Sequence, residues 1–169
     1  SSQNPQYMND LRRYQKFVAQ KNALLKDDQK WDKSLLNVLN DGLIQEGAKV
    51  LHERLSYLSK MVSPVQEFLS NIAPKQHRVI LAYKSRKPRY FTGHFELPPI
   101  KILEEILHQE IIETGAQERV RRSSLVGPHR DDFLFRVVTN ADLVDVGSQG
   151  EIRSFLLALK LAELEEFKN

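Results

Sequence analysis

The 169-residue sequence contains no cysteine. That excludes a disulfide framework, thiol catalysis and any thiolate metal site, and makes a reducing, cytoplasmic compartment the default. It also lacks any apolar run approaching the ~20 residues that cross a bilayer. Ser1 to Asp10 are polar, so the expectation is a soluble chain without a signal peptide. Glycine is scarce: its seven occurrences are followed by Leu43, Ala48, His94, Ala116, Pro128, Ser148 and Glu151, never by lysine. A Gly-x-x-x-x-Gly-Lys phosphate-binding loop is therefore absent. The five histidines, at 52, 77, 94, 108 and 129, show no metal-ligand spacing, and no metal site is expected. There is no internal repeat and no low-complexity tract. A formal net charge of +3 is too small to mark a nucleic-acid binder unless its distribution does. With 41% hydrophobic and 28% charged residues, wholesale disorder and fibrous chains are excluded. The length suits one domain, or one with an attached lobe.

What is present is helical periodicity. Tyr7, Leu11, Tyr14, Val18 and Leu25 follow a four-three alternation with one polar step at Lys21 or Asn22, and after the charged break Lys26 to Lys30 a longer stripe runs through Leu36, Leu39, Leu43, Leu51, Leu55, Leu58, Val62, Val65, Leu69 and Ile72. The spacing is that of one helix laid along another within the molecule. Pro64 interrupts it, and with Ser63 as N-cap and Gln66 in capping-box position a kink or restart is expected there. Trp31 reads as an arm-packing residue.

From Pro74 the pattern changes. His77 to Tyr83 reads as a strand with Tyr90 to Phe95 as its partner. Pro98 and Pro99 open a third helix buried along Ile102, Leu103, Ile106, Leu107 and Ile111, which Gly115 is placed to end. A second β region begins with Ser124 to Gly127, continues as a half-buried strand with Phe133, Phe135 and Val137 alternating with Asp132, Leu134 and Arg136, turns at Thr139 to Asp142 and returns over Leu143 to Val146. The last helix, from about Ser148 to Phe167, carries Phe155-Leu-Leu-Ala-Leu159, apolar all round, which implies burial on more than one face. The fold class expected is α+β: a helical arm of long antiparallel helices, a small mostly antiparallel sheet and a C-terminal helix, in segments 1–74, 75–118 and 119–169.

Three clusters invite a chemical reading. Gly147-Ser148-Gln149-Gly150-Glu151 stands where the last helix exposes unpaired N–H groups and the positive end of its dipole, a setting for a phosphate. Ser148 with Glu151 is equally a capping box, which needs no ligand. Lys75 to Phe95 holds six Lys or Arg and no acid, and Lys84, Arg86, Lys87 and Arg89 next to Tyr90 and Phe91 suit a nucleic-acid backbone, or else a solvated loop that protects a hairpin. Arg119, Arg121 and Arg122 form a second basic group. His129, Arg130, Asp131 and Asp132 combine base, cation and acid. An ion pair between Arg130 and an aspartate, holding a turn, accounts for them without catalysis.

Taken together, Ser124-Leu-Val-Gly-Pro-His-Arg-Asp-Asp132, Gly147-Ser-Gln-Gly150, Arg153 and Ala158-Leu-Lys-Leu-Ala-Glu163 resemble the characteristic run of the RecF family, bacterial DNA replication and repair ATPases. Tyr14, Gln20-Lys-Asn-Ala-Leu-Leu-Lys26 and Trp31-Asp32 resemble the helical arm of the same family, and the likeness is weakest from Lys84 to Glu118. The resemblance implies an ATPase of the ABC type, related to chromosome-maintenance proteins, in which the signature motif of one subunit closes over ATP and Mg²⁺ held by another. By position that signature is Gly147, Ser148, Gln149, Gly150 and Glu151, with Ser148 toward the γ-phosphate. His129, Arg130 and Arg153 fall near the nucleotide interface, and Lys84, Arg86, Lys87, Arg89, Arg121 and Arg122 become candidate DNA contacts. The implied partners are DNA, a second RecF-like subunit, and recombination mediators of the RecO and RecR type, in repair, recombination and the SOS response.

Two departures qualify the match. Where the family has Gln-Gln after the second glycine, Glu151 and Ile152 stand here. The carboxylate must turn into the capping box, be screened by Arg153 or Mg²⁺, or weaken nucleotide contact. Neither the phosphate-binding loop nor the apolar strand ending in acids that should follow the signature helix is in the sequence. It therefore reads as the middle portion of such a protein, with no catalytic residue of its own, no nucleotide expected on it alone and no ATP turnover. The alternative is a helical module that binds protein or nucleic acid without nucleotide.

Overall fold

The computed structural model describes residues 4–74, 79–86, 90–92, 94–138, 143–145, 149–166 and 168. The order is α1 (Pro5–Lys26), α2 (Lys33–Ile72), β1 (Val79–Lys84), β2 (Tyr90–Thr92), α3 (Ile100–Arg121), a 3₁₀ turn (Pro128–Arg130), β3 (Asp132–Val138), β4 (Leu143–Asp145) and α4 (Gln149–Glu166). This is an α+β fold. It divides into two compact units. One comprises Ser1–Arg54, Ser85–Lys87 and Leu97–Asp131, the other Leu55–Lys84, Pro88–Glu96 and Asp132–Asn169, and α2 contributes to both.

In the first unit α1 and the first part of α2 form an antiparallel hairpin. Asn4 caps α1 by accepting from the N–H groups of Gln6 and Tyr7, with Pro5 at the first helical position. Asp27 then holds the turn by accepting from Gln29 and Lys30, and Asp32 accepts from the N–H of Ser34 to start α2. Contacts of Asn4 with Glu53 and Arg13 with Glu46 fix the antiparallel register. α3 buries Leu103, Leu107, Glu110, Ile111, Thr114 and Glu118. This face differs from the expected one. Ile102 is exposed, one residue off the buried stripe of Leu103, Leu107, Ile111, Thr114 and Glu118, and that stripe continues past Ile111 along polar residues. Gly115 does not end the helix either; it lies inside α3 facing open space, and Arg122 in left-handed conformation (φ 53°, ψ 36°) is the cap.

In the second unit the sheet order is β2-β1-β3-β4 and every pairing is antiparallel. Leu81, Ala82 and Tyr83 of β1 are buried consecutively rather than alternately, so both faces of this strand are covered. The far part of α2 supplies Leu55, Leu58, Met61, Val62, Val65 and Leu69 to the core. α2 is helical straight through Pro64, with no restart. The ~3 kcal/mol cost of an interior proline is offset by buried side chains on either side at about 1.5–3 kcal/mol each. Ile72, expected on the stripe, is exposed.

α4 buries Phe155, Ala158 and Ala162 but leaves Leu156 and Leu157 half exposed, so burial on more than one face is corrected to burial on one. Arg136, expected on the solvent side of β3, is buried, with Ile80 on β1 and Asp145 on β4 as its register partners. The face of the sheet that Arg136 occupies is therefore covered at this position rather than open to solvent. His77 and the turn Thr139 to Asp142 lie outside the described residues.

Candidate functional site around the Gly-Pro-His-Arg turn

Ser124 to Gly127 was expected to be a strand and is instead an irregular loop leading into the 3₁₀ turn. Gly127 adopts φ 117° and ψ 175°, a region open essentially to glycine alone. A Cβ at this position would also overlap the hydroxyl of Tyr14. The residue is thus required twice, by its backbone angles and by the close approach of α1.

Three helices hold the loop. From α1, Asn22 Oδ1 accepts from the Ser124 N–H at 2.7 Å, and the Tyr14 hydroxyl lies 2.6 Å from His129 Nδ1. From α2, Arg54 Nη1 donates to the Pro128 carbonyl at 2.7 Å and its Nε donates to the Tyr7 hydroxyl at 3.2 Å. From α3, Glu118 Oε1 accepts from the Leu125 N–H at 2.8 Å. The other Glu118 oxygen lies 2.7 Å from Lys21 Nζ, an ion pair whose side chains are 4% and 0% exposed. A loop carries backbone polar groups that no ladder satisfies, and here side chains of the helices satisfy them.

The geometry also assigns the imidazole. His129 Nε2 is 3.2 Å from the Ser124 carbonyl, which only accepts, so Nε2 carries the proton. In the neutral ring Nδ1 is then the acceptor and Tyr14 donates to it. Burial holds His129 below its ordinary pKa, with the Ser124 carbonyl opposing and Arg130 and Lys21 adding to the depression. Burial also pushes Tyr14 well above the usual phenol range and pulls Lys21 down from its usual value, the latter against the pull of Glu118. Tyr14 is therefore a proton donor at any ordinary pH.

Of the residues singled out from the sequence, His129 is the one this network holds. Arg130 is exposed and makes no ion pair among the described residues, so the expected Arg130 to aspartate pairing is replaced by Tyr14 and Arg54 as the grip on the turn. Gly147 and Ser148 lie outside the described residues. Gln149, Gly150 and Glu151 open α4, their side chains likewise outside the description, and Arg153 is exposed one turn on. Lys84 is exposed at the end of β1 opposite Tyr90 and Asp132, and Arg86 is exposed after it, whereas Lys87 and Arg89 fall outside the described residues. Arg121 is exposed, Arg122 pairs with Asp28 at 2.7 Å on the surface, and Arg119 stacks over Trp31 at 4.2 Å. Among the described residues no group of His, Asp and Glu could hold a metal ion, and no helix is long and apolar enough to cross a membrane.

Sequence reasoning missed Lys21, Asn22, Arg54 and Glu118. The available signal was a lysine and an asparagine inside a helical stripe, where periodicity alone treats them as a polar step.

The chain is 33% identical over 165 residues to the DNA replication and repair protein RecF of Streptococcus gordonii, covering 98% of this chain and 43% of that protein. RecF of Streptococcus pneumoniae is 30% identical over 161 residues, 95% of this chain and 41% of its own length. The chain thus spans less than half the length of these relatives. Among solved structures it superposes on the recombination mediator protein RecF of the RecFOR pathway described as RecF-ATP, with TM-score 0.77 and 28% identity over 98% of this chain and 43% of that one. The RecF-ATPrS structure of the same pathway gives 0.76 and 28% over 96% and 42%. No protein-family model matches the chain.

Proposed function

From the premise that this chain is similar along nearly its whole length to a stretch of RecF, a DNA replication and repair protein, we propose that it supplies the signature lobe and arm of a RecF-type ATPase. The observation that carries the reading is a likeness spanning 98% of the chain in both sequence and fold, with one of the matched structures described as RecF-ATP. In this reading the chain is the arm (1–74), connecting segment (75–118) and signature portion (119–169) of a longer polypeptide, and ATP with Mg²⁺ is held by a second subunit. The triphosphate supplies charge that bridges two protein surfaces.

The donor set suits such an anion. The first N–H groups of α4, an 18-residue helix, have no partners within the helix, and Arg153 is exposed nearby. Ser148 adds a hydroxyl directed at the γ-phosphate. Nucleotide then joins two subunits on DNA, and its hydrolysis releases them. Lys84, Arg86, Lys87, Arg89 and Arg121 are the proposed phosphate-backbone contacts, with Arg122 sharing its charge with Asp28. RecO- and RecR-type mediators are the proposed protein partners.

The test is ATP-dependent self-association of a RecF-length polypeptide carrying this segment, followed by sedimentation. Association should require ATP and be abolished by Ser148→Arg, which puts a bulky side chain where the phosphate is received. ATP-dependent dimers that survive this substitution would sink the signature assignment.

A further inference from the structure

The turn Pro128–Arg130 is gripped by residues far away in sequence. Tyr14 is fully buried, yet its hydroxyl is spent on one side chain, His129, and not on helix or sheet. Gly127 lies against that hydroxyl, and its missing side chain leaves the space that the hydroxyl fills. A tyrosine that served only as packing would not need its oxygen satisfied by an imidazole, nor a glycine at that point; phenylalanine would fill the same volume without a polar atom to bury.

We propose that Tyr14 is a positioning residue: by donating to Nδ1 of a ring whose Nε2–H is held by the Ser124 carbonyl, it keeps His129 neutral and ties the Gly-Pro-His-Arg turn to the helical arm. The chain of contacts runs from the α1 side chain through the ring to the Ser124 carbonyl, 2.6 Å and then 3.2 Å. Asn22 holds the N–H of that same Ser124 at 2.7 Å. α1 therefore grips both polar groups of one loop residue, directly on one side and through His129 on the other. Arg54 of α2 holds a carbonyl four residues on, that of Pro128. Arg130, exposed at the end of the turn, is in consequence presented from a fixed backbone rather than from a mobile loop. A shift of α1 moves His129 and the turn together, which gives the arm a physical link to whatever Arg130 meets. That the partner of Arg130 is a nucleotide-bearing surface rests on the reading proposed above.

The charged groups acting on the imidazole are Lys21 from α1, Glu118 from α3 and Arg130 of the turn, and those acting on its partner Tyr14 are Arg54 from α2, Glu118 from α3 and Asp131. None of them is a neutral donor placed to replace Tyr14 at Nδ1. Removal of the hydroxyl thus leaves Nδ1 without its donor while the Ser124 carbonyl still holds Nε2–H.

Two measurements separate this proposal from the one it rests on. In the 169-residue chain labelled with ¹⁵N-histidine, His129 should show one tautomer, protonated at Nε2. Tyr14→Phe should keep that tautomer, shift the Nδ1 resonance to that of a lone pair without a donor, and raise the pH at which the ring titrates, while circular dichroism stays unchanged. An unchanged Nδ1 resonance and titration pH in Tyr14→Phe overturn the proposal, whatever the activity does. In the RecF-length polypeptide, Tyr14→Phe and His129→Gln should each weaken ATP-dependent self-association about ten-fold, and the double variant should be no worse than either. Losses that multiply to about a hundred-fold overturn the relay, because the two residues then act separately. If Ser148→Arg leaves association intact, the nucleotide reading fails on its own and the ¹⁵N-histidine measurement still decides the role of Tyr14.

Discussion

Lys21 of α1 and Glu118 of α3 meet 2.7 Å apart with neither side chain reaching water. The pair is supported on one side only: the second carboxylate oxygen accepts from the Leu125 N–H, so the same glutamate anchors helix and loop. Two charges taken out of water cost several kcal/mol each, and removing one strands the other. Lys21→Met is therefore expected to destabilise the chain by about 3–5 kcal/mol. Adding Glu118→Gln, which keeps the acceptor for Leu125 but removes the stranded charge, should restore most of the loss. Urea unfolding at neutral pH measures both, and a double variant no better than Lys21→Met would show that the charge was not the cause.

Two helical glycines should respond oppositely to alanine. At Gly115 an added methyl meets no atom within 4 Å, and the backbone is already helical, so Gly115→Ala should raise stability by about 0.5–1 kcal/mol. At Gly42 of α2 the same methyl falls inside the ring of Phe17 of α1. The ring must be displaced, and Gly42→Ala should lower stability by about 1 kcal/mol net of the helix-propensity gain. Thermal melts of the two variants should move in opposite directions.

The hairpin of α1 and α2 was legible because its stripe of leucines and valines keeps helical spacing over many turns, and burial of that stripe overrides even Pro64. α3 was only half legible. Its isoleucines at 102 and 112 are exposed while Glu110, Thr114 and Glu118 are buried, a reversal that no hydrophobicity pattern contains because it depends on partners elsewhere in the chain. The same holds for the Gly-Pro-His-Arg turn. Its motif stood out, but its anchors at Tyr14, Asn22 and Arg54 are 115, 102 and 74 residues from the atoms they hold. The α4 leucines mislead in the opposite sense: a run apolar all round suggests burial, whereas Leu156, Leu157 and Leu164 are exposed among the described residues.

Gly127 should tolerate no side chain. Its φ of 117° already disfavours one, at about 1–3 kcal/mol, and the Tyr14 hydroxyl occupies the space a Cβ would need. Gly127→Ala is expected to cost at least that much in chemical unfolding. Combining it with Tyr14→Phe should return part of the loss, since the overlap is relieved while the backbone strain remains. Full recovery in the double variant would show that the backbone angle carries no cost, and none would show that the hydroxyl is not the obstacle.

The neutral, hydrogen-bonded state of His129 makes stability depend on pH in a defined direction. Its folded pKa lies below the ordinary value of 6.5, chiefly because burial penalises the charged ring. Between 6.5 and that lower value the unfolded chain binds a proton which the folded chain does not, so the unfolded state gains on acidification. The contribution is complete above 6.5 and is lost as pH falls through the folded value. Wild-type stability should therefore decline on going below pH 6.5, before the carboxylates begin to titrate. His129→Gln keeps a donor for the Ser124 carbonyl and has no titrating group, so its stability should be lower at pH 7.5 and flatter between pH 7.5 and 5.5. Parallel slopes for the two proteins would place the acid sensitivity elsewhere and require a folded His129 that charges as readily as an unfolded one.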